Sequence, residues 1–127
     1  MKCSEILKSA LRLLNEKGDE GDHEDYAERT PYILASMFSE ASGADKNFRA
    51  ANGGSKQPSF SHTYADLDGD FPLSDRFASA AVFYLASMLI IDENDELSDS
   101  FYDKYCDSLA SIISETPAIS GKTKNVY

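Results

Sequence analysis

Apolar residues recur at spacings of three and four in four segments of the chain, which is the pattern of an amphipathic helix. These segments run from about Ser4 to Glu16, His23 to Ser42, Leu73 to Ile91 and Leu97 to Thr116. The third is apolar around almost its whole circumference, as is typical of a central helix or of one that presents a second face to a partner. The pattern predicts an all-α fold, a small bundle of about four helices packed around the third.

A proline interrupts the second segment. Because Pro31 has no backbone N–H, it either kinks one helix or starts a new one for which Thr30 is the cap. We favour the kinked continuous helix. A second proline, Pro117, ends the fourth segment.

A long segment without helical periodicity separates the second and third helices. It runs from Gly43 to Phe71 and contains four glycines and a proline, so we expect an irregular loop. Loops of this length are uncommon in a compact domain and often carry function. We expect residues 47–61 to be poorly packed, and the alternating residues from Phe60 to Tyr64 suggest a short strand or hairpin.

The residues after Pro117 lack the apolar spacing of the helices. We therefore divide the sequence into a helical domain, residues 1–116, and an extended C-terminal tail, residues 117–127. The tail carries two lysines in an otherwise acidic protein, and its apolar residues have no obvious place in a four-helix core. We expect it to bind a partner rather than to be a disordered end. The candidate partner-binding residues are Ile119, Lys122, Lys124, Val126 and Tyr127.

Composition narrows the function classes. The 127 residues carry a net charge of −10, which argues against binding to a phosphate backbone and so against direct sequence-specific nucleic-acid binding. The most apolar run, Phe77 to Ile91, is shorter than the ~20 residues of a membrane span. Cys3 and Cys106 form no paired motif, which favours buried or partly buried thiols in a reducing compartment. These features predict a cytoplasmic protein that does not enter a membrane.

Three short motifs suggest chemistry, but none has the required spacing. Residues 66–70 (DLDGD) begin like a calcium loop, yet Phe71 and Phe77 occupy the positions that need glycine and glutamate. His23 lies among acidic residues with no second histidine or cysteine nearby. Residues 53–56 (GGSK) lack the spacing of a phosphate-binding loop. We expect no catalytic site, no cofactor and no metal.

One set of residues resembles a known family. Residues 70–81 (DFPLSDRFASAA), 84–86 (YLA), 92–94 (DEN) and 125–127 (NVY) are similar to small head–tail connector, or adaptor, proteins of tailed phages and prophages. The resemblance covers mainly the C-terminal half. It implies a helical subunit that assembles as a homo-oligomeric ring between the portal and the tail, in the bacterial cytoplasm and then in the virion. If the ring encloses a DNA channel, an acidic wall would let the duplex slide.

The alternative that the residues leave open is a bacterial helical regulatory or protein-interaction domain without enzymatic activity. It would bind one protein partner through a groove between helices two and three.

Overall fold

A computed structural model describes residues 1–15 and 23–117 of the chain. Four α-helices account for most of them: α1 (Cys3–Asn15), α2 (His23–Ala51), α3 (Ala78–Ile90) and α4 (Asp95–Glu115). One turn of 3-10 helix, Asp75–Phe77, leads directly into α3. The prediction of a small all-α bundle is therefore confirmed, and a long irregular segment, residues 52–74, separates α2 from α3 as expected.

The third helix lies at the centre of the bundle, where it contacts α1, α2 and α4. Buried alanines on α3 let the neighbouring helices approach closely, while its large apolar side chains fill the space between them. Of the residues expected in this core, Phe77, Ala81, Tyr84 and Leu85 are buried and Met88 is half-buried. The central position explains why α3 is apolar on nearly every side.

A pair of buried serines fixes the register of α3 against α4. The hydroxyl of Ser87 donates to the carbonyl oxygen of Ser98 at 2.8 Å, and the hydroxyl of Ser98 donates to the carbonyl oxygen of Ser87 at 2.9 Å. Both residues are buried, so a shift of either helix would leave polar groups without partners.

The second helix is longer than its sequence indicates. It continues through Gly43 to Ala51, whereas the expected end was Ser42, and residues 43–51 are therefore helix rather than loop. A glycine inside a helix costs up to about 1 kcal/mol relative to alanine. That cost is offset because the extension places Asp45 and Phe48 against the rest of the fold, where Phe48 packs edge-on to Phe77 with ring centroids 5.9 Å apart.

The proline in α2 does not begin a new helix. Pro31 lies inside one continuous helix, as favoured, and Thr30 is not its cap. The Thr30 hydroxyl instead donates to the carbonyl oxygen of Tyr26 at 2.7 Å. The carbonyl oxygen of Pro31 accepts from the backbone N–H of Ala65 at 2.9 Å, so this turn of α2 also holds part of the irregular segment.

The expectation of a strand or hairpin from Phe60 to Tyr64 is wrong. Those residues are irregular, and the part of the chain that the structure describes contains no strand, only an isolated antiparallel bridge between Lys2 and Asp70. The alternating aromatic residues contact side chains of α2 instead of forming a ladder. None of the helices described here is both long and apolar enough to cross a membrane.

Candidate docking cleft

Both ends of the irregular segment are held by one turn of α2. Asp45 is fully buried, and its carboxylate accepts hydrogen bonds from the Arg49 Nε, the Gln57 Nε2 and the backbone N–H of Ser74, each at 2.8 Å. Gln57 lies near the start of the segment and Ser74 at its end. We call these four residues the Asp45 cluster, and it closes the segment into a loop on the surface of α2.

Arg49 extends the same network. Its guanidinium donates to the carbonyl oxygens of Ser55 at 3.2 Å and Pro72 at 3.1 Å. The backbone N–H of Gly54 donates to the carbonyl oxygen of Arg49 at 2.8 Å, and the turn that permits this passes through Gly53 at a φ of +67°. Within residues 47–61, which we expected to be mobile or poorly packed, Arg49, Gly54 and Ser55 are therefore held by hydrogen bonds, although residues 52–56 are exposed.

The charge of Asp45 is stabilised inside the protein. Burial by itself would raise the pKa of this carboxyl, but the hydrogen bonds from Gln57, Ser74 and Arg49 outweigh burial and hold the pKa below its ordinary value of 3.8. The folded protein thus binds a proton at Asp45 less readily than the unfolded chain does.

This shift predicts acid sensitivity. A carboxyl with a lowered pKa contributes stability above its unfolded pKa, and that contribution is lost as the pH falls through the folded value. We expect the free energy of unfolding to decline below about pH 4, and the decline to be smaller in Asp45→Asn than in the wild type. Urea denaturation at several acidic pH values would measure it. The exposed Asp103→Asn is the control, and equal slopes for all three proteins would contradict the assignment.

The middle of the loop lies along α2 through aromatic and polar contacts. Phe60 packs edge-on to Phe38 with ring centroids 5.9 Å apart, and the exposed Tyr64 packs edge-on to Tyr32 at 5.4 Å. His62 Nδ1 lies 2.6 Å from the Ser39 hydroxyl. His62 is thereby placed on the outer surface of α2.

The later part of the loop is joined to the start of the chain. The backbone N–H groups of Cys3 and Ser4 donate to the carbonyl oxygens of Gly69 at 3.0 Å and Leu67 at 2.9 Å, and that of Phe71 donates to the Met1 carbonyl oxygen at 2.8 Å. These loop carbonyls serve the first orphan N–H groups of α1.

A cleft of about 420 Å³ lies between this junction and the middle of the loop. Its walls are largely apolar and include Phe38, Pro58, Phe60 and Pro72. Two carboxylates, Asp66 and Asp70, also line it, whereas its described lining contains no lysine or arginine. The cleft is therefore suited to an apolar segment that carries positive charge.

Cys3 lies at the base of the cleft and is 2% exposed. Burial, followed by the nearby carboxylates of Asp66 and Asp70, raises the pKa of its thiol to about 11. A thiol that remains protonated at neutral pH is a poor nucleophile, so Cys3 has a structural role here. Cys106 is exposed on α4, contrary to the expectation that both thiols are at least partly buried.

The aspartate-rich sequence at the cleft forms a turn. The Asp66 carboxylate accepts from the backbone N–H of Asp68 at 3.0 Å, and the Asp66 carbonyl oxygen accepts from Gly69 at 2.9 Å. A side chain at position 69 would press on that carbonyl, because a Cβ there would lie 3.2 Å from it. Within residues 1–15 and 23–117, no group of three or more His, Cys, Asp or Glu side chains is arranged to hold a metal ion.

A second polar cluster lies where α2 meets α4, and sequence reasoning did not identify it. The Tyr105 hydroxyl donates a short hydrogen bond to Glu40, while the Tyr84 hydroxyl lies 3.2 Å from that of Ser36. Burial and the Glu40 carboxylate both raise the pKa of Tyr105. Tyr84 and Tyr105 are hydrogen-bonding groups in a packed interface, and their contacts point to stability rather than to chemistry.

The five predicted partner-binding residues of the tail, Ile119 to Tyr127, lie outside the described residues, as does most of the acidic linker before α2. Pro117, the last described residue, is exposed directly after α4. Comparison of the chain with models of protein families, with curated proteins and with solved structures gave no match.

Proposed function

We propose that the protein is a head–tail connector subunit of a phage or prophage, which assembles as a ring between the portal and the tail. The observation that carries the proposal is the resemblance of residues 70–81 and 84–86 to that family, supported by residues 92–94 and 125–127. The proposed partners are further copies of this chain, the portal protein and the tail proteins. Its proposed location is the bacterial cytoplasm, and the virion after assembly.

The position of the resembling segment is compatible with this proposal. Residues 71–73 are buried, Phe77 is fully buried, and the segment continues into the central helix α3. Arg76 also pairs with Glu115 at 3.0 Å, which brings the end of α4 to the start of α3.

The net charge also supports the proposal. Proteins that hold DNA by its phosphates need clustered lysine and arginine, and this chain has 22 acidic against 12 basic residues. If the ring encloses a DNA channel, an acidic wall would let the duplex pass without being retained.

The cleft beside the loop supports a second candidate function, a bacterial protein-interaction domain that binds a single partner. Its volume and apolar walls suit a short peptide segment. The cleft lies between α2, the loop and the start of α1, and so differs in place from the groove between helices two and three that we expected.

Co-expression with the portal protein of the same genome separates the two functions. We expect the chain to co-purify with the portal and to form a closed ring with rotational symmetry, visible by electron microscopy. The capsid protein of the same genome, expressed in place of the portal, is the control for non-specific capture. A chain that remains monomeric and unbound in the presence of the portal would contradict the connector function.

A further inference from the structure

We propose that the cleft receives residues 118–127 of a neighbouring copy of this chain. The inference rests on the proposed function for the presence of that neighbour. It assigns one occupant to the cleft and gives the tail a defined binding site.

The charges of the two surfaces are complementary. Among the described residues Asp66 forms no ion pair, and Asp70 pairs at 3.2 Å with Lys2, where both side chains are more than half exposed. An exposed pair of this kind contributes little and is easily exchanged. Residues 118–127 contain Lys122 and Lys124 and no aspartate or glutamate.

The apolar side chains of the tail also suit the apolar walls of the cleft. The tail offers Ile119, Val126 and Tyr127, and the cleft offers the walls formed by Phe38, Phe60 and two prolines. Burial of such side chains gives the larger part of the affinity in a short peptide interface, while the lysines fix its position.

The backbone of residues 59–61, beside the cleft, takes part in no backbone–backbone hydrogen bond within the described residues. On either side of it, the Ser55 and Lys56 carbonyls accept from Arg49, and the Thr63 and Tyr64 N–H groups donate to the Ser61 hydroxyl. An extended peptide gains affinity from hydrogen bonds to backbone groups such as those of residues 59–61, while its side chains enter pockets.

The tail leaves the subunit at a suitable place. The ion pair between Arg76 and Glu115 holds the end of α4 close to the start of α3, and Pro72, four residues before Arg76, lines the cleft. Ten further residues span at most about 36 Å when extended, which sets the distance within which the tail must find the cleft of a neighbouring copy.

Cysteine cross-linking between two differently tagged full-length chains tests the proposal. Both chains carry Cys106→Ser, one also carries Ser61→Cys in the cleft wall, and the other carries Asn125→Cys in the tail. They are mixed under mild oxidation, free and together with the portal protein. Cys3 remains in both, because its buried, protonated thiol reacts slowly.

We expect a disulfide-linked heterodimer of the two chains. Replacing Lys122 and Lys124 by Gln in the tail-bearing chain should slow its formation about tenfold, because the tail then occupies the acidic cleft for less of the time. The same replacement at the exposed Lys8 and Lys104 should leave the rate unchanged. The control for position is a chain that retains Cys106 on α4 and lacks Ser61→Cys. It should not cross-link to the tail cysteine.

Two results would overturn the proposal. One is the absence of the heterodimer both with and without the portal. The other comes from a chain that carries both Ser61→Cys and Asn125→Cys. If a disulfide forms only within that chain and never between chains, the cleft binds its own tail. A ring on the portal without the cross-link would retain the connector function and reject the tail contact. The cross-link without portal binding would retain the tail contact and reject the connector function.

Discussion

Replacement of Asp45 by alanine is expected to lower the free energy of unfolding by about 3–5 kcal/mol, the cost of removing one partner from a buried ion pair. The Asp45 side chain is fully buried, and the Arg49 side chain is only 15% exposed. Alanine would leave that guanidinium, the Gln57 amide and the Ser74 N–H without their acceptor. It would also release both ends of the loop that forms the cleft.

Two further variants make this result interpretable in guanidinium denaturation. Asp103→Ala removes an exposed carboxylate on α4 and is expected to change stability by less than about 0.5 kcal/mol. Asp45→Asn keeps one acceptor oxygen but not the charge. Its loss of stability should therefore lie between those of Asp103→Ala and Asp45→Ala. A loss below about 1 kcal/mol for Asp45→Ala would mean that the cluster is not a major source of stability.

Replacement of Phe77 by alanine is the second change with a large expected effect, also about 3–5 kcal/mol, as for other aromatic truncations in a core. Phe77 is completely buried where the 3-10 turn enters α3, and its ring packs edge-on to that of Phe48. A cavity at this point would separate the extension of α2 from the central helix.

Tyr32→Ala provides the matched aromatic control, because Tyr32 is 61% exposed and its ring packs edge-on to that of Tyr64. Its expected cost in thermal or chemical denaturation is under about 1 kcal/mol. Similar losses for the two variants would contradict the placement of Phe77 in the core.

The helices could be predicted because their signals are local. The apolar spacing of α1 and α4 and the apolar character of α3 depend on residues within a few turns of one another. The N-cap of α4 is local too: the Asn94 side chain accepts from the Leu97 N–H at 3.0 Å, so α4 begins at Asp95, close to the expected start.

The extension of α2 and the cleft could not be predicted because they depend on distant partners. A glycine such as Gly43 commonly marks the end of a helix, so the local sequence indicates that α2 stops there. The reason that the helix continues lies in the contacts of Asp45 with Gln57 and Ser74, which are distant in sequence. The cleft needs the start of α1 beside residues 67–71, more than sixty positions away in sequence. No periodic pattern in the chain encodes that pairing.

The central position of α3 has a consequence for the order of folding. The first two helices contact each other far less than either contacts α3, so the faces of α1 and α2 that pack on α3 are not covered by each other. During synthesis the parts of α1 and α2 that face α3 would therefore remain exposed until Ile90 has been made. Contacts of such long sequence separation slow folding and favour association of incomplete chains. Fragments that end before α3 should accordingly aggregate rather than fold.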